Sequence, residues 1–393
     1  MDALTTPSNW QRVRLGDILE LLTDYHANGS YELLKNNVTL LKHVDFAIMI
    51  RTTNFENNDF KNDLIYINKK AYEFLSKSKV FAGDILVNKI ANAGTAYFMP
   101  KLNQPVSLGM NLFLLRIKPN YNNFFIFKQI ANYERVLKTF ANGSATKTIT
   151  KNVIKNLLIP LPPLNEQIAI ANILSGLDHY LYTLRALILK KESVKKALSF
   201  ELLSQRKRLK GFNQTWQRVR LGDVAEIKRG VRITKNELDV FGKYPVVSGG
   251  VGFLGYTNNF NRYENTITIA QYGTAGYVNF QKNKFWANDV CFCVYPNKDV
   301  IKNIFLYYFL KVNQNYLYEI SNRNATPYSI SKDKILDFEI LLPSLNEQIA
   351  IANILSDLDS EIISLKNKKR QFENIKKALN HDLMSAKIRV LKK

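Results

Sequence analysis

Along residues 164–202 apolar side chains recur in alternating steps of four and three: Ile170, Leu174, Leu177, Leu181, Leu184 and Ile188, then Leu198 and Leu202. Residues 345–383 repeat the pattern with Ile351, Leu355, Leu358, Ile362, Leu365, Phe372, Leu379 and Leu383. Such steps sustained over several heptads predict the seam of a coiled coil rather than one face of a surface helix. Lys191, Lys195, Lys369 and Lys376 interrupt the seam. The spacing predicts helices over 165–208 and 346–388, each about 40 residues and so roughly 60 Å long. Ser344 with Glu347 reads as a capping box opening the second helix, and Pro163 suits the first turn of the other.

The two helices are copies of one unit. Residues 164–175 and 345–356 both read LNEQIAIANILS, and residues 10–17 and 216–223 both read WQRVRLGD. A twelve-residue identity within one chain marks an internal repeat. The helical copies lie 181 positions apart and the opening copies 206, so the first intervening segment is 25 residues longer. Equivalent helices pack most simply on each other about a pseudo-two-fold axis, antiparallel, with Leu177 opposite Leu358. Separate helical hairpins, or a partner-binding helix in each copy, are the alternative.

Between the repeated motifs the chain alternates short apolar runs with turns. In the first insert, 18–160, strands are expected at 81–87 and 110–117 and a helix at 122–137. In the second, 224–341, strands are expected at 266–270 and 290–294 and a helix at 301–311. Both inserts then read as α+β domains of one plan. The chain divides into a first globular domain (1–160), a first spacer helix (161–210), a second globular domain (211–341) and a second spacer helix (342–393). Divergent inserts on a constant frame suggest readers of two different targets.

Composition sharpens this only in part. A formal charge of +22 favours a polyanionic partner such as nucleic acid, although a lysine-rich proteome gives the same balance. No apolar run reaches the ~18 residues that span a bilayer, and no secretion signal is visible, which points to the cytoplasm. Cys291 and Cys293 share one face of a strand and read as packing residues.

Catalytic motifs are scarce. Gly250, Gly252 and Gly255 fit G-x-G-x-x-G, but a strand-like run rather than a helix follows, so a pyrophosphate has no helix N-terminus to sit on. Residues 161–164 (LPPL) lack the polar and aromatic ends of an adenine methyltransferase loop, no phosphate-binding G-x-x-x-x-G-K-[S/T] occurs, and His26, His43, His179 and His381 form no ligand spacing. The chain reads as a non-enzyme. Side chains suited to base edges cluster instead on loops: Asn88, Lys89, Asn92, Thr95, Thr146 and Lys147 in the first insert; Arg229, Arg232, Gln271, Tyr272, Thr274, Arg323 and Asn324 in the second. The basic run 205–210 (QRKRLK) reads equally as a solvated helix end or a phosphate contact.

Two variable domains opened by W-x-x-V-x-L-G-D and closed by I-[S/T]-K and P-L-P-[P/S]-L-N-E-Q before a long helix resemble the specificity subunits of type I restriction–modification systems. The loops 244–250, 269–276 and 284–289 resemble that family's target recognition domains. The resemblance implies a scaffold on double-stranded DNA that binds two modification subunits and, with them, restriction subunits. S-adenosylmethionine, ATP and Mg then belong to those partners and not to this chain. Because the two inserts differ, two unlike half-sites are expected, with an unread spacer whose length the helices set. A two-headed coiled-coil binding or structural protein is the rival reading.

Overall fold

The computed structural model describes residues 9–141, 147–324 and 326–390. It forms two compact units, residues 1–183 with 370–393 and residues 184–369. Each holds one α+β domain together with parts of both long helices.

In the first unit a four-stranded antiparallel sheet runs in the order Leu19–Asp24, Leu112–Ile117, Ile85–Asn88, Ala96–Phe98. The strand Leu112–Ile117 is almost wholly buried, with every residue but Arg116 inside, so it reads as a continuous apolar run rather than an alternating one. One face packs on the helix Asn123–Asn132, whose Phe125, Ile126 and Ile130 are buried in the core with Trp10 and Leu15. The expected single helix over 122–137 is two, because the chain breaks at Tyr133 before Glu134–Thr139. A second sheet, Tyr66–Ile67, Ala47–Ile50, Val106–Leu108, Lys79–Val80, includes the parallel pair Ala47–Ile50 and Val106–Leu108.

The second unit repeats this plan. Its main sheet runs Ala225–Arg229, Cys291–Pro296, Thr266–Ala270, Val278–Gln281, packed on the helix Asn303–Val312. Its smaller sheet runs Gly255–Thr257, Tyr244–Val247, Trp286–Ala287, again with one parallel pair. Cys291 and Cys293 are free and buried, beneath Val247 and Phe285.

The repeated motifs turn out to be the frame of each domain. The opening motif and the exit strand pair as an antiparallel ribbon, Gln11–Arg14 with Leu158–Leu161 and Gln217–Arg220 with Glu339–Leu342. The opening tryptophan lies under it, donating Nε1–H to a buried glutamate at the start of a long helix: Trp10 to Glu166 (3.3 Å), Trp216 to Glu347 (3.0 Å). An arginine closes each pair, Arg389 on Glu166 (2.7 and 3.0 Å) and Arg208 on Glu347 (3.0 Å). The two glutamates are 2% and 1% exposed. At that burial a carboxylate needs the cation and the indole together to offset its lost hydration. Ser344 accepts from the Glu347 N–H as a capping box requires, but the Glu347 carboxylate turns inward to Trp216 and Arg208 instead of back to the cap. The following glutamine, Gln167 or Gln348, accepts from the N–H of Asn122 or Lys302, where the core helix begins.

The long helices run Leu164–Leu203 and Leu345–Met384, ending four to five residues before the expected 208 and 388. Beyond each end Gln205 and Ala386 adopt left-handed conformations (φ 60° and 58°), and the turn brings Arg208 and Arg389 back to the glutamates. Arg208 is therefore committed to an interior ion pair rather than to a phosphate.

Within each unit the helices pack antiparallel. In the first, Asp178 pairs with Lys376 and the Tyr180 ring packs at a tilt against Phe372; in the second, Lys191 pairs with Glu361, Lys195 with Asp359 and Lys366 with Glu192. Leu177 thus lies beside the helical turn of Lys376 and not opposite Leu358. The seam lysines Lys191, Lys195 and Lys376 are the cationic halves of these pairs. Leu174, Leu184, Leu355 and Ile362 are buried and Leu177, Leu181, Leu358 and Leu365 half-buried, so the apolar spacing does mark the packed stripe.

Candidate nucleic-acid interface

In both domains the candidate residues fall at one end of the main sheet, where the first and third strands stop and the second begins. In the second domain these points are Arg229, Ala270 and Cys291. Arg229 donates Nε–H to the carbonyl of Asp289, and Gln271 donates its backbone N–H to that of Val290, 2.9 Å away. Adjacent carbonyls of one turn thereby hold the two together. Gly230 is required here, because a Cβ would come within 2.3 Å of the carbonyls of Ala287 and Asn288. Arg232 follows on the same turn and is exposed, with the N–H of Val231 on Ala287 and that of Ile233 on the Asn288 side chain.

The exit segment joins the cluster. Ile330 N–H donates to the Gln271 carbonyl (2.9 Å) and Gly273 N–H to that of Tyr328 (3.0 Å), while the Arg323 guanidinium lies 5.1 Å from the Tyr328 ring centre. Asn324 is exposed beside Arg323. Thr274 spends its hydroxyl on the Gly249 carbonyl (2.7 Å). Gln271 Oε1 is buried with no hydrogen-bond partner among the described residues, an acceptor left over in the free protein. Arg229, Arg232, Gln271, Tyr272, Arg323 and Asn324 are thus gathered around one loop cluster.

The first domain has the same backbone with different side chains. Lys89 is the counterpart of Gln271: its N–H donates to Asn111 and its carbonyl accepts from Ile149, as Gln271 does with Val290 and Ile330. Asp24, opposite Phe113, is the counterpart of Arg229, opposite Phe292. A β-bulge between Leu19 and Leu21 absorbs one extra residue, which hides this match from sequence spacing. The Asp24 carboxylate takes Lys89 Nζ at 3.1 Å and Lys151 Nζ at 3.2 Å. Burial pushes this carboxyl up, but the hydrogen bonds and charges of the two lysines outweigh it and hold it below the ordinary range.

Several expectations for the first domain need correction. Asn88 is 3% exposed and faces the interior as the last strand residue, so it presents nothing to a duplex. Lys89 is pinned to Asp24 and lies over the Phe113 ring. Thr95 donates to Glu134 (2.8 Å), away from the loop tip. The Gly-Thr pairs 94–95 and 273–274 do not correspond: Gly94 answers Gly276, since their N–H groups donate to the equivalent Asn88 and Ala270 carbonyls. Asn92 and Lys147 are exposed at the same end, Asn92 within 3.5 Å of Glu56, and Thr146 lies outside the described residues. Sequence reading missed Asp24, Tyr328 and Arg262, whose guanidinium holds the Arg229 carbonyl at 2.7 Å. Their signal is a place at a strand end or loop base, which becomes visible only once the strands are paired.

Residues 250–255 form bends and then the start of a strand, with no helix. No described helix is long and apolar enough to cross a membrane.

Comparison with known proteins now supplies the family. The chain matches the type I restriction modification DNA specificity domain twice, over residues 7–192 and 213–374. It is 28% identical to a putative type I restriction enzyme MjaX specificity subunit of Methanocaldococcus jannaschii, over 97% of each chain. It is 25% identical to the MjaVIII specificity subunit of the same organism, over 99% of this chain and 95% of that one. Its fold matches the crystal structure of a type I restriction–modification S subunit from M. genitalium with a TM-score of 0.68 at 20% identity, covering 97% of both chains. With the family match spanning both domains and both frames, the chain belongs to the type I restriction modification DNA specificity family, as a non-catalytic specificity subunit.

Proposed function

We propose that this chain reads a bipartite duplex target, one half-site with each domain, and carries two modification subunits and the restriction subunits that act with them. Methyl transfer from S-adenosylmethionine and ATP- and Mg-dependent cleavage fall to those partners, in the cytoplasm. The observation that carries the reading is the pair of superposable sheet ends with unlike side chains, Arg229 and Gln271 in one and Asp24 and Lys89 in the other. A frame held constant while its presented groups change is what two different half-sites require. Gln271 offers the donor–acceptor pair that matches adenine in the major groove, and Arg229 a cation for the phosphates. The test is the methylated-motif profile of cells carrying this chain with its modification subunits. The expected profile is one motif of two unlike half-sites around an unread gap, and exchanging residues 18–160 alters one half alone. A single continuous motif, or both halves changing together, overturns the reading.

A further inference from the structure

The glycine-rich run 249–255 carries an exposed apolar loop. Between the strands Tyr244–Val247 and Gly255–Thr257 it forms a loop whose Val251 is 60% and Phe253 50% exposed, with Leu254 beside them at 39%. Three large apolar side chains within four residues face solvent here, as Val240 and Phe241 do elsewhere in the same domain.

The loop is built, not slack. Thr274 donates both its N–H (2.9 Å) and its hydroxyl (2.7 Å) to the Gly249 carbonyl, and Leu254 N–H closes onto the Val246 carbonyl at 2.9 Å. A Cβ on Gly249 would lie 2.2 Å from the Tyr272 carbonyl, so only glycine lets the loop approach the reader segment this closely. The Phe253 ring is steadied edge-on against Tyr256, with centroids 6.1 Å apart.

The surroundings decide what covers it. The loop base is fastened to the same segment that carries Gln271 and Tyr272, and Arg323 with its tyrosines adjoins that segment. An exposed apolar loop fastened to that segment, in a chain of charge +22, suits a polyanion whose interior is apolar. A stacked duplex is such a partner: phosphates outside, base faces within. Apolar side chains on DNA-binding proteins enter between base steps and unstack them.

We propose that residues 251–254, with Phe253 leading, wedge into the base stack of the second half-site while Gln271 and the arginines hold the neighbouring edges and phosphates. This rests on the reading that the second domain binds DNA. The first domain lacks this loop: after its equivalent strand Ala47–Ile50 comes the short helix Thr52–Glu56, whose Glu56 contacts Asn92. The wedge is therefore assigned to the second half-site.

The experiment uses the assembled complex of this chain with its modification subunits and a duplex carrying the methylated motif of the cells. 2-Aminopurine is placed at each step of both half-sites in turn. The expected result is a several-fold fluorescence rise at one unmethylated step of the second half-site, with no such rise at unmethylated steps of the first. Phe253→Ala abolishes that rise and weakens binding about tenfold, whereas Phe253→Leu keeps most of it and shows that the fold survives. Wild-type binding with no rise beyond the methylated bases, or an unchanged rise in Phe253→Ala, overturns the wedge. So does loss of the modification subunits from Phe253→Ala while its DNA contact persists, which would make the loop a protein-docking face. Failure of the wild-type complex to bind the duplex instead sinks the DNA reading beneath it.

Discussion

The first strand of the first domain ends on Asp24; its counterpart in the second ends on Arg229, at the same position opposite a buried phenylalanine. The charge is reversed, and so is what the neighbours do. Asp24 draws Lys89 and Lys151 inward, leaving an interlocked end. Arg229 leans on a backbone carbonyl and leaves Gln271 with an unspent acceptor. Beneath these differences both domains keep the same tryptophan, glutamate and arginine lock. The lock that joins each domain to its long helix is held constant, while the sheet end it supports carries different charges in the two copies.

The largest expected effect probes the constant half. Arg208→Met leaves a buried carboxylate facing only an indole N–H, and should cost about 3 kcal/mol, as breaking a buried ion pair does. Arg389→Met should cost the first unit a similar amount, both measured by guanidinium unfolding. Values below about 1 kcal/mol, or widely unequal ones, would break the claim that the two locks are equivalent.

Next comes the reading end itself. Gln271→Ala should relax one base of the second half-site, losing ~1 to 3 kcal/mol of discrimination, while the first half-site stays intact in the methylated-motif profile. Lys89→Ala, at the equivalent backbone position, should change no base preference, because that lysine is already spent on Asp24. A motif change in Lys89→Ala would show that the lock opens on DNA.

Smaller again is the phosphate contribution. Arg229→Ala should weaken all sequences alike and lower the slope of binding against salt by about one unit. Asp24→Asn should do the reverse, since freeing Lys89 and Lys151 offers two more cations to the duplex.

The smallest effect is on acid stability. Asp24 titrates below its ordinary value in the folded state, so it contributes stability above the unfolded carboxyl pKa, about 4, that is lost as pH falls through the depressed folded value. Between pH 5 and 2 the transition of the first unit should weaken more steeply in wild type than in Asp24→Asn. Equal slopes would remove Asp24 from the account.

The sequence alone determined the repeats, the long helices and the α+β plan of both inserts, because these rest on local periodicity and on identity within one chain. Leu174, Leu184, Leu355 and Ile362 were legible as packed positions since a helix converts spacing directly into a face. The helix ends were less so: Gln205 and Ala386 turn the chain for a tertiary reason, the return of an arginine to a glutamate across the unit. The candidate site was legible only as a set of loops. That Asn88 points inward, that Lys89 is pinned and Gln271 is not, and that Asp24 answers Arg229 across a one-residue bulge were decided by strand pairing. A strand's partner and the face it buries depend on residues distant in the chain, and a register shift of one position exchanges inside for outside.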